Sequence, residues 1–435
     1  MLNEKFLERM QEYLGSEYQA FLNSLKKPNI RSIRINNKFI DSNYFEEITD
    51  IDVTPIEGIK DAFYLNSSIK LGFHPLHHAG AIYSQDPSAM LPPLAISFKD
   101  NFLALDLCAA PGGKTLELAN LLKNGYLIAN EIDYKRAKVL YSNVERFGLN
   151  NVTITNNDVK DFIKDFSESF DLILVDAPCS GEGMFRKYPE TCKEWSIENI
   201  ELCHKRDIKI LESVDKILKR DGILIYSTCT FAKEENEDIV NFLTENFNYE
   251  LLDVNPIIKG KMVEGFIPNT YRFYPHKGEG EGQFLAVLKK RVGNISTPKK
   301  IKKYDNCKEF IEFSNKNLKK KINHIIVKNE LFYQAIPYDL SSLKVLNYGV
   351  KLGEIINKRF VPNHNLFKSF SELFINKLEL DYKDPLVMKY LRGEQITYNV
   401  NSGFGVLCVN GIPLGGFKAN NNVVNNYYPK GLRNF

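Results

Sequence analysis

The chain of 435 residues contains no run of about 18 consecutive apolar residues, the length of a membrane-spanning helix, so no helical membrane protein is expected. Its opening residues, Met1-Leu2-Asn3-Glu4-Lys5, lack the apolar segment of a secretory signal, and a soluble cytoplasmic protein is the expectation. Cysteine is sparse and irregular. Seven residues, at 108, 179, 192, 203, 229, 307 and 408, include no C-x-x-C pair, which argues against a disulfide framework or a structural zinc site. The pairs His77-His78 and Cys203-His204 have no further histidine or cysteine three or four positions on, so no metal is expected. Charge of either sign is not in excess either: the net value is +3 from 57 basic and 54 acidic residues. Any polyanion must therefore be held by local basic patches rather than by the field of the whole molecule. Internal repeats and low-complexity tracts are absent. What is present is ample apolar material, 43% of the chain, in a length that suggests about three folding units.

Residues 1–22 carry Phe6, Met10, Leu14 and Phe21 at helical spacing and read as an amphipathic helix. The segment Lys26–Lys38 follows without an acid, and R-S-I-R-I-N-N reads as a strand whose Arg31 and Arg34 share a face, suited to successive phosphates or simply to solvent. Residues 41–61 are acidic and read as a surface connection. H-H-A-G-A-I-Y-S-Q-D-P-S-A-M-L-P-P reads as an apolar strand and a proline-rich entry to the next unit. From Asn101 onward, strands alternate with helices, the signature of a parallel sheet with crossover helices. Strands are expected over 102–107, 125–130, 152–155, 172–175 and 223–227, with a late edge strand over 284–289. Helices are expected over 115–123, 133–147, 159–166, 199–219 and 234–246, the fourth stopped by Arg220-Asp221-Gly222. Lysines crowd residues 289–321, which read as a linker facing polyanion or solvent. Beyond them, short apolar segments include a hairpin across Asn410-Gly411.

The chemistry gathers at strand ends. Cys108-Ala109-Ala110-Pro111-Gly112-Gly113-Lys114 follows the first strand, and its glycines let a ligand approach a helix N-terminus that favours an anionic group such as a carboxylate. Glu131, at the end of the second strand, is placed for ribose hydroxyls, and Asp158, past the third, for an adenine. The G-x-G-x-x-G of dinucleotide sites is missing, which favours S-adenosylmethionine. The fourth strand delivers Asp176, Pro178 and Cys179, and the fifth delivers Cys229. Two thiols beside a methyl donor suit carbon 5 of a pyrimidine: thiolate addition at carbon 6 makes carbon 5 nucleophilic. Asp176 is placed to hydrogen-bond the cytosine ring, as a donor if protonated. Spacing does not choose between the cysteines, and a Pro-Cys analogy with DNA cytosine methyltransferases points to Cys179.

L-D-L-C-A-A-P-G-G-K-T, V-D-A-P-C-S-G-E-G and Y-S-T-C-T-F, in this order, resemble the RNA cytosine-5-methyltransferases of the Sun/Fmu type. Q-D-P-S-A-M and R-F-Y-P-H-K-G-E-G-E-G-Q-F-L-A are similar to further elements of that family. N-G-I-P-L-G-G-F-K and Y-Y-P-K-G-L-R resemble the tail of its small-subunit ribosomal RNA branch. The resemblance implies an α/β, Rossmann-like class I S-adenosylmethionine-dependent methyltransferase with a small N-terminal α+β domain and a β-rich PUA-like C-terminal domain. On that basis residues 1–95 form the N-terminal RNA-binding unit, 96–292 the catalytic unit, 293–330 a basic linker and 331–435 the PUA-like unit. It further implies that Cys108–Lys114, Glu131, Asp158 and Asp176 line the cofactor site, that Cys229 is the nucleophile, and that Cys179 assists release of methylated RNA. The partner is structured RNA, as ribosomal RNA or a small-subunit particle, bound by a monomer. Transfer RNA as substrate and a non-catalytic ribosome-assembly role are the alternatives. An exocyclic-amine methyltransferase would place Asn/Asp-Pro-Pro-Tyr/Phe where this chain has Asp176-Ala177-Pro178-Cys179.

Overall fold

The structure is a computed structural model and describes residues 2–433. Its largest element is a ten-stranded sheet. Leu218–Thr228, Phe170–Asp176, Leu103–Asp106, Tyr126–Asn130 and Val152–Thr155 lie side by side in that order, all parallel. Leu103–Asp106 thus stands at the point where strand order reverses, and the crevice outside its carboxyl end is where such sheets bind ligands. Alternate strand residues feed two separate cores: Ala104, Leu127 and Leu174 enter one, Leu105, Ile128 and Val175 the other. Burial on both faces explains why these segments read as continuous apolar runs.

Several boundaries differ from expectation. The strand expected at the edge over 284–289 is Gln283–Lys290, antiparallel to Leu218–Thr228 and covered on its far side by Thr270–Phe273 and Tyr249–Leu252. The long helix is Ile197–Ile217, capped by Ser196, and it passes directly into a strand at Leu218. Arg220-Asp221-Gly222, read as a helix stop, lie inside that strand, where Asp221 has φ 63° at a break in the register between Phe170 and Leu172. Pairing of Leu218 with Phe170 extends the strand past the local turn signal.

The N-terminal helix is two, Glu4–Leu14 and Tyr18–Leu25, separated at Gly15 with φ 51°. Their apolar residues Phe6, Met10 and Phe21 share a core with Phe185, Trp195 and Phe231, which flank the cysteine loops. A four-stranded sheet follows, with strands Val53–Pro55, Ala62–Leu65, Ser32–Ile35 and Ile82–Ser84. His77 and His78 fall in the helix Pro75–His78 rather than in a strand. The expectation that Arg31 and Arg34 share a phosphate-facing side is overturned, because a three-residue step in extended chain reverses the face. Arg34 is buried and ion-paired to Glu117 at 2.9 Å, and Arg31 donates to the carbonyls of Ser67 and Ile69.

The basic stretch 293–330 is not an unstructured connection. It contains the helix Lys308–Asn317 and the strand Ile325–Lys328, and Phe310 and Phe313 are buried with Leu331, Val350 and Phe360. Its lysines mark the exposed face of a folded element: Lys308, Lys316 and Lys319–Lys321 are exposed while the aromatic face is covered. The β-rich region beyond is divided. One four-stranded sheet spans 325–362, and a five-stranded sheet spans 376–426. The expected hairpin is present in the second, with Val409 opposite Ile412 and both Asn410 and Gly411 at positive φ. Within the span of the first, between Glu330–Gln334 and Gly349–Ile356, Val345–Asn347 leaves to join the ten-stranded sheet and pairs with Val152–Thr155. Among the described residues no helix is long and apolar enough to cross a membrane.

Candidate active site

The loop after Leu103–Asp106 is shaped by its small residues. Gly112 has φ 120°, a conformation that side chains rarely adopt, and a Cβ at Gly113 would come within 2.9 Å of the Gln85 amide. Arg136 donates to the Ala110 carbonyl at 2.7 Å and Asn143 to that of Pro111 at 2.9 Å, which fixes the loop from outside. The helix Gly113–Leu121 begins at Gly112 without a side-chain cap, so its first N–H groups stay available to a ligand.

Two cavities meet at Cys108. The first, of about 500 Å³, includes Glu131, Asp158, Ile132 and Leu202 in its wall. Ile132 and Leu202 are 68% and 66% exposed, large apolar side chains left bare at the mouth of a ligand-sized space. Glu131 is buried; its Oε1 accepts from the Asp133 N–H at 3.0 Å, and its Oε2 has no hydrogen-bond partner. Asp158 sits at the rim and caps the turn Val159–Phe162. The second cavity, of about 370 Å³, is bounded by Asp106, Lys114, Asp176 and Cys229. Asp106 accepts from Thr115 Oγ1 at 2.6 Å through one oxygen and leaves the other buried without a partner. Burial pushes its carboxyl up to about 7. A carboxylate-bearing, cationic, adenosine-like molecule matches this set: donors for Glu131 and Asp106, an apolar slot for a flat ring, and free N–H groups for a carboxylate. The residues present therefore fit S-adenosylmethionine.

The two cysteines follow neighbouring parallel strands, in which Asp176 is level with Ser227. Their sulfurs are 3.2 Å apart, and both are free thiols. Cys229 forms part of the wall of the second cavity, and Cys179 does not. The Cys179 thiol is raised well above its ordinary range, first by its hydrogen bond with Cys229 and then by burial, so it keeps its proton. A buried chain of polar groups sets this geometry. Ser180 Oγ, beside one cysteine, and Thr230 Oγ1, beside the other, are 2.8 Å apart. Ser180 donates to Glu235 at 2.5 Å and Thr230 to Glu182 at 3.1 Å. Trp195 also donates to Glu182, at 2.8 Å. The Gly183 N–H donates to the Cys229 carbonyl at 2.9 Å, and a Cβ at Gly183 would lie 2.6 Å from Gly282. The second glycine of S-G-E-G is thus required by close approach of two loops.

Lys114 and Ser227 donate to Asp176, each at 2.7 Å, and Gln283 approaches at 3.5 Å, so within the protein it is the acceptor of these contacts. Gln85, Tyr83, Lys187, Tyr188 and Gln283 also line this cavity and were not singled out from sequence. For Gln85 and Gln283 the signal lay in Q-D-P-S-A-M and G-E-G-Q-F-L-A, motifs quoted without a site role; Tyr83, Lys187 and Tyr188 lie outside both. Among the described residues no group of three or more His, Cys, Asp or Glu is arranged to hold a metal ion.

The family model described as 16S rRNA methyltransferase RsmB/F matches residues 93–289. The N-terminal domain of 16S rRNA methyltransferase RsmF matches 2–87, and the methyltransferase RsmF PUA domain matches 376–434. A ribosomal RNA small subunit methyltransferase F from Aliivibrio fischeri is 36% identical over 338 residues, covering 72% of this chain and 69% of the relative. That of Shewanella woodyi is 30% identical over 431 residues, covering 91% and 88%. A methyltransferase homolog from Pyrococcus horikoshii superimposes with a TM-score of 0.57 at 28% identity over 66% of this chain and 95% of its own. Pyrococcus horikoshii NSun6 with SFG, at 20% identity and TM-score 0.58 over 67% and 99%, shares the fold. The chain belongs to the 16S rRNA methyltransferase RsmB/F family and is an RNA methyltransferase that uses S-adenosylmethionine.

Proposed function

We propose that the protein methylates carbon 5 of cytidine in small-subunit ribosomal RNA through a covalent adduct with Cys229, acting as a cytoplasmic monomer. The observation that carries this reading is the pair of free thiols, 3.2 Å apart, of which Cys229 alone lines the cavity shared with the cofactor loop. Bound S-adenosylmethionine supplies an electrophilic methyl group, and the protein's task is to make carbon 5 nucleophilic. The Cys229 sulfur, its proton given up to solvent, adds to carbon 6, the double bond shifts its electrons toward carbon 5, and Asp176 accepts a hydrogen bond from the exocyclic amine of the base. Once carbon 5 is methylated, its proton passes to water, the C–H electron pair restores the double bond, and the sulfur–carbon 6 pair leaves on the Cys229 sulfur as thiolate. Cys179, holding its proton, donates to the departing sulfur. That assignment favours Cys229 over Cys179 as nucleophile, the reverse of the Pro-Cys analogy. The base must leave its stack or loop to reach the cavity, which needs basic surface for the backbone. The exposed lysines of 302–321 offer one such surface.

Bisulfite sequencing of total RNA from cells with and without the gene tests the reading. The expected result is a cytidine in small-subunit ribosomal RNA that is protected only when the gene is present. Protection in a transfer RNA would redirect the substrate, and no gene-dependent protection in any RNA would favour an assembly factor instead.

A further inference from the structure

Three cations meet where the N-terminal unit, the methyltransferase sheet and the C-terminal region join: Lys368 is buried, Arg146 half-buried and Lys38 exposed. Lys368, wholly buried, donates to the carbonyls of Ala79 and Pro413. Lys38 donates to those of Gly148 and Ser369. Arg146 donates to the carbonyls of His77 and Ile82, each at 3.0 Å, and to Asn143 Oδ1 at 3.2 Å. None of the three has a carboxylate oxygen within 4.0 Å among the described residues. Main-chain dipoles alone are poor compensation for a buried charge. Accordingly burial holds Arg146 down to about 10 and lowers Lys368 further, with Arg146 and Lys38 adding to the effect on Lys368.

Beside these cations lies a cavity of about 530 Å³ whose wall includes His77, Arg146, Lys351, His364 and Tyr428. That volume is in the range of ligand sites, about 300–1,000 Å³. The Nδ1 atoms of His77 and His364 are buried without a hydrogen-bond partner. Both rings are kept neutral, held down to about 3 by burial, and then by Arg146 for His77 and Lys368 for His364. Acids nearby are few or already engaged. Lys351 is paired with Glu330 at 2.6 Å, Glu145 in the wall accepts from Asn365 at 3.2 Å and is pushed toward its neutral form by burial, and Glu372 acts on Lys38 only at a distance. The site is an electropositive cavity with polar atoms to spare.

We propose that this cavity binds a phosphate-class oxyanion, either a backbone phosphate of RNA or free phosphate. An oxyanion would complete Arg146 and the histidines with charge-assisted hydrogen bonds and tie three segments of the chain together. The inference stands apart from the methylation reading, because it concerns binding far from the cysteines in sequence and is read without activity.

The test uses the full chain and inorganic phosphate as the probe. Thermal unfolding is followed with increasing phosphate against sodium chloride of equal ionic strength. Phosphate at about 100-fold over its dissociation constant is expected to raise the midpoint by a few °C beyond the chloride control. His77→Leu and Lys351→Gln, which change the wall and leave Lys38, Arg146 and Lys368 in place, are expected to lose that rise. Saturable phosphorus-31 line broadening with wild-type protein gives a second readout that needs no variant. A short single-stranded RNA is then added: competition with phosphate assigns the site to RNA backbone, and absence of competition assigns it to free phosphate. No rise above chloride together with no saturable broadening, or a rise unchanged in both variants, overturns the site.

Discussion

Two buried polar clusters of opposite sign lie in this molecule, and each is incomplete. Around the cysteines the surplus is acidic. Asp106, Asp207 and Glu235 are buried carboxyls pushed up to about 7, 8 and 7, in each case chiefly by burial. At the three-way junction the surplus is cationic, and burial pushes Arg146 and Lys368 down. The acidic cluster surrounds two thiols and a cavity shaped for a cationic, adenosine-bearing molecule. The basic cluster has no nucleophile beside its cavity and offers only hydrogen bonds and charge. The same desolvation thus serves reaction in one place and recognition in the other, and the difference lies in what reactive atom stands at the centre.

The largest break in this contrast comes from removing the reactive atom. Cys229→Ala is expected to lower methyl transfer by roughly 10³-fold or more and to abolish the covalent RNA–protein band on a denaturing gel. Cys179→Ala sharpens the contrast differently. Attack still occurs but release does not, so the gel should show a persistent adduct; an adduct accumulating with Cys229→Ala instead would exchange the two roles. Next in size is the cofactor end of the acidic cluster. Glu131→Gln, which alters a buried acceptor whose Oε2 makes no hydrogen bond and lies 3.5 Å from the Arg136 guanidinium, is expected to weaken binding of S-adenosylhomocysteine about 10- to 100-fold by calorimetry, with folding intact.

The smallest expected effect concerns stability alone. The Asp207 carboxyl is ordinarily near 3.8 and is pushed up to about 8 by burial. Between those values the folded state holds a proton that the unfolded state has lost, so stability falls as pH rises from about 4 through about 8. Asp207→Asn removes that loss and is expected to unfold a few °C higher than wild type at pH 8.5 and not at pH 5. Equal shifts at both pH values would mean that the gain comes from packing.

Much of the active site was legible because its signals are local. The parallel strands announced themselves as short apolar runs, and each ended on a residue that the structure places at the crevice: Asp106, Glu131, Asp176 and Cys229. Gly112 and the hairpin at Asn410-Gly411 were readable because each answers to its own backbone conformation, whereas Gly113 answers to the approach of Gln85. Other signals misled where a distant partner decided the outcome. Arg34 looks like a surface cation and is buried against Glu117. Asp221-Gly222 looks like a helix stop, yet pairing with the neighbouring strand carries the chain through. Lysine density over 293–330 looks like a linker because the buried phenylalanines between the lysines are outnumbered in the sequence, though not in the core.

What the sequence determined by itself was the order of strands and helices, the glycine loop at 112–113 and the two cysteines at strand ends, since periodicity and backbone chemistry act over a few residues. Which cysteine faces the cavity, the acceptor role of Asp176 and the gathering of Lys38, Arg146 and Lys368 at one junction were decided only by the tertiary structure. Burial and electrostatic surroundings come from residues far apart in the chain, and no short stretch of sequence contains them.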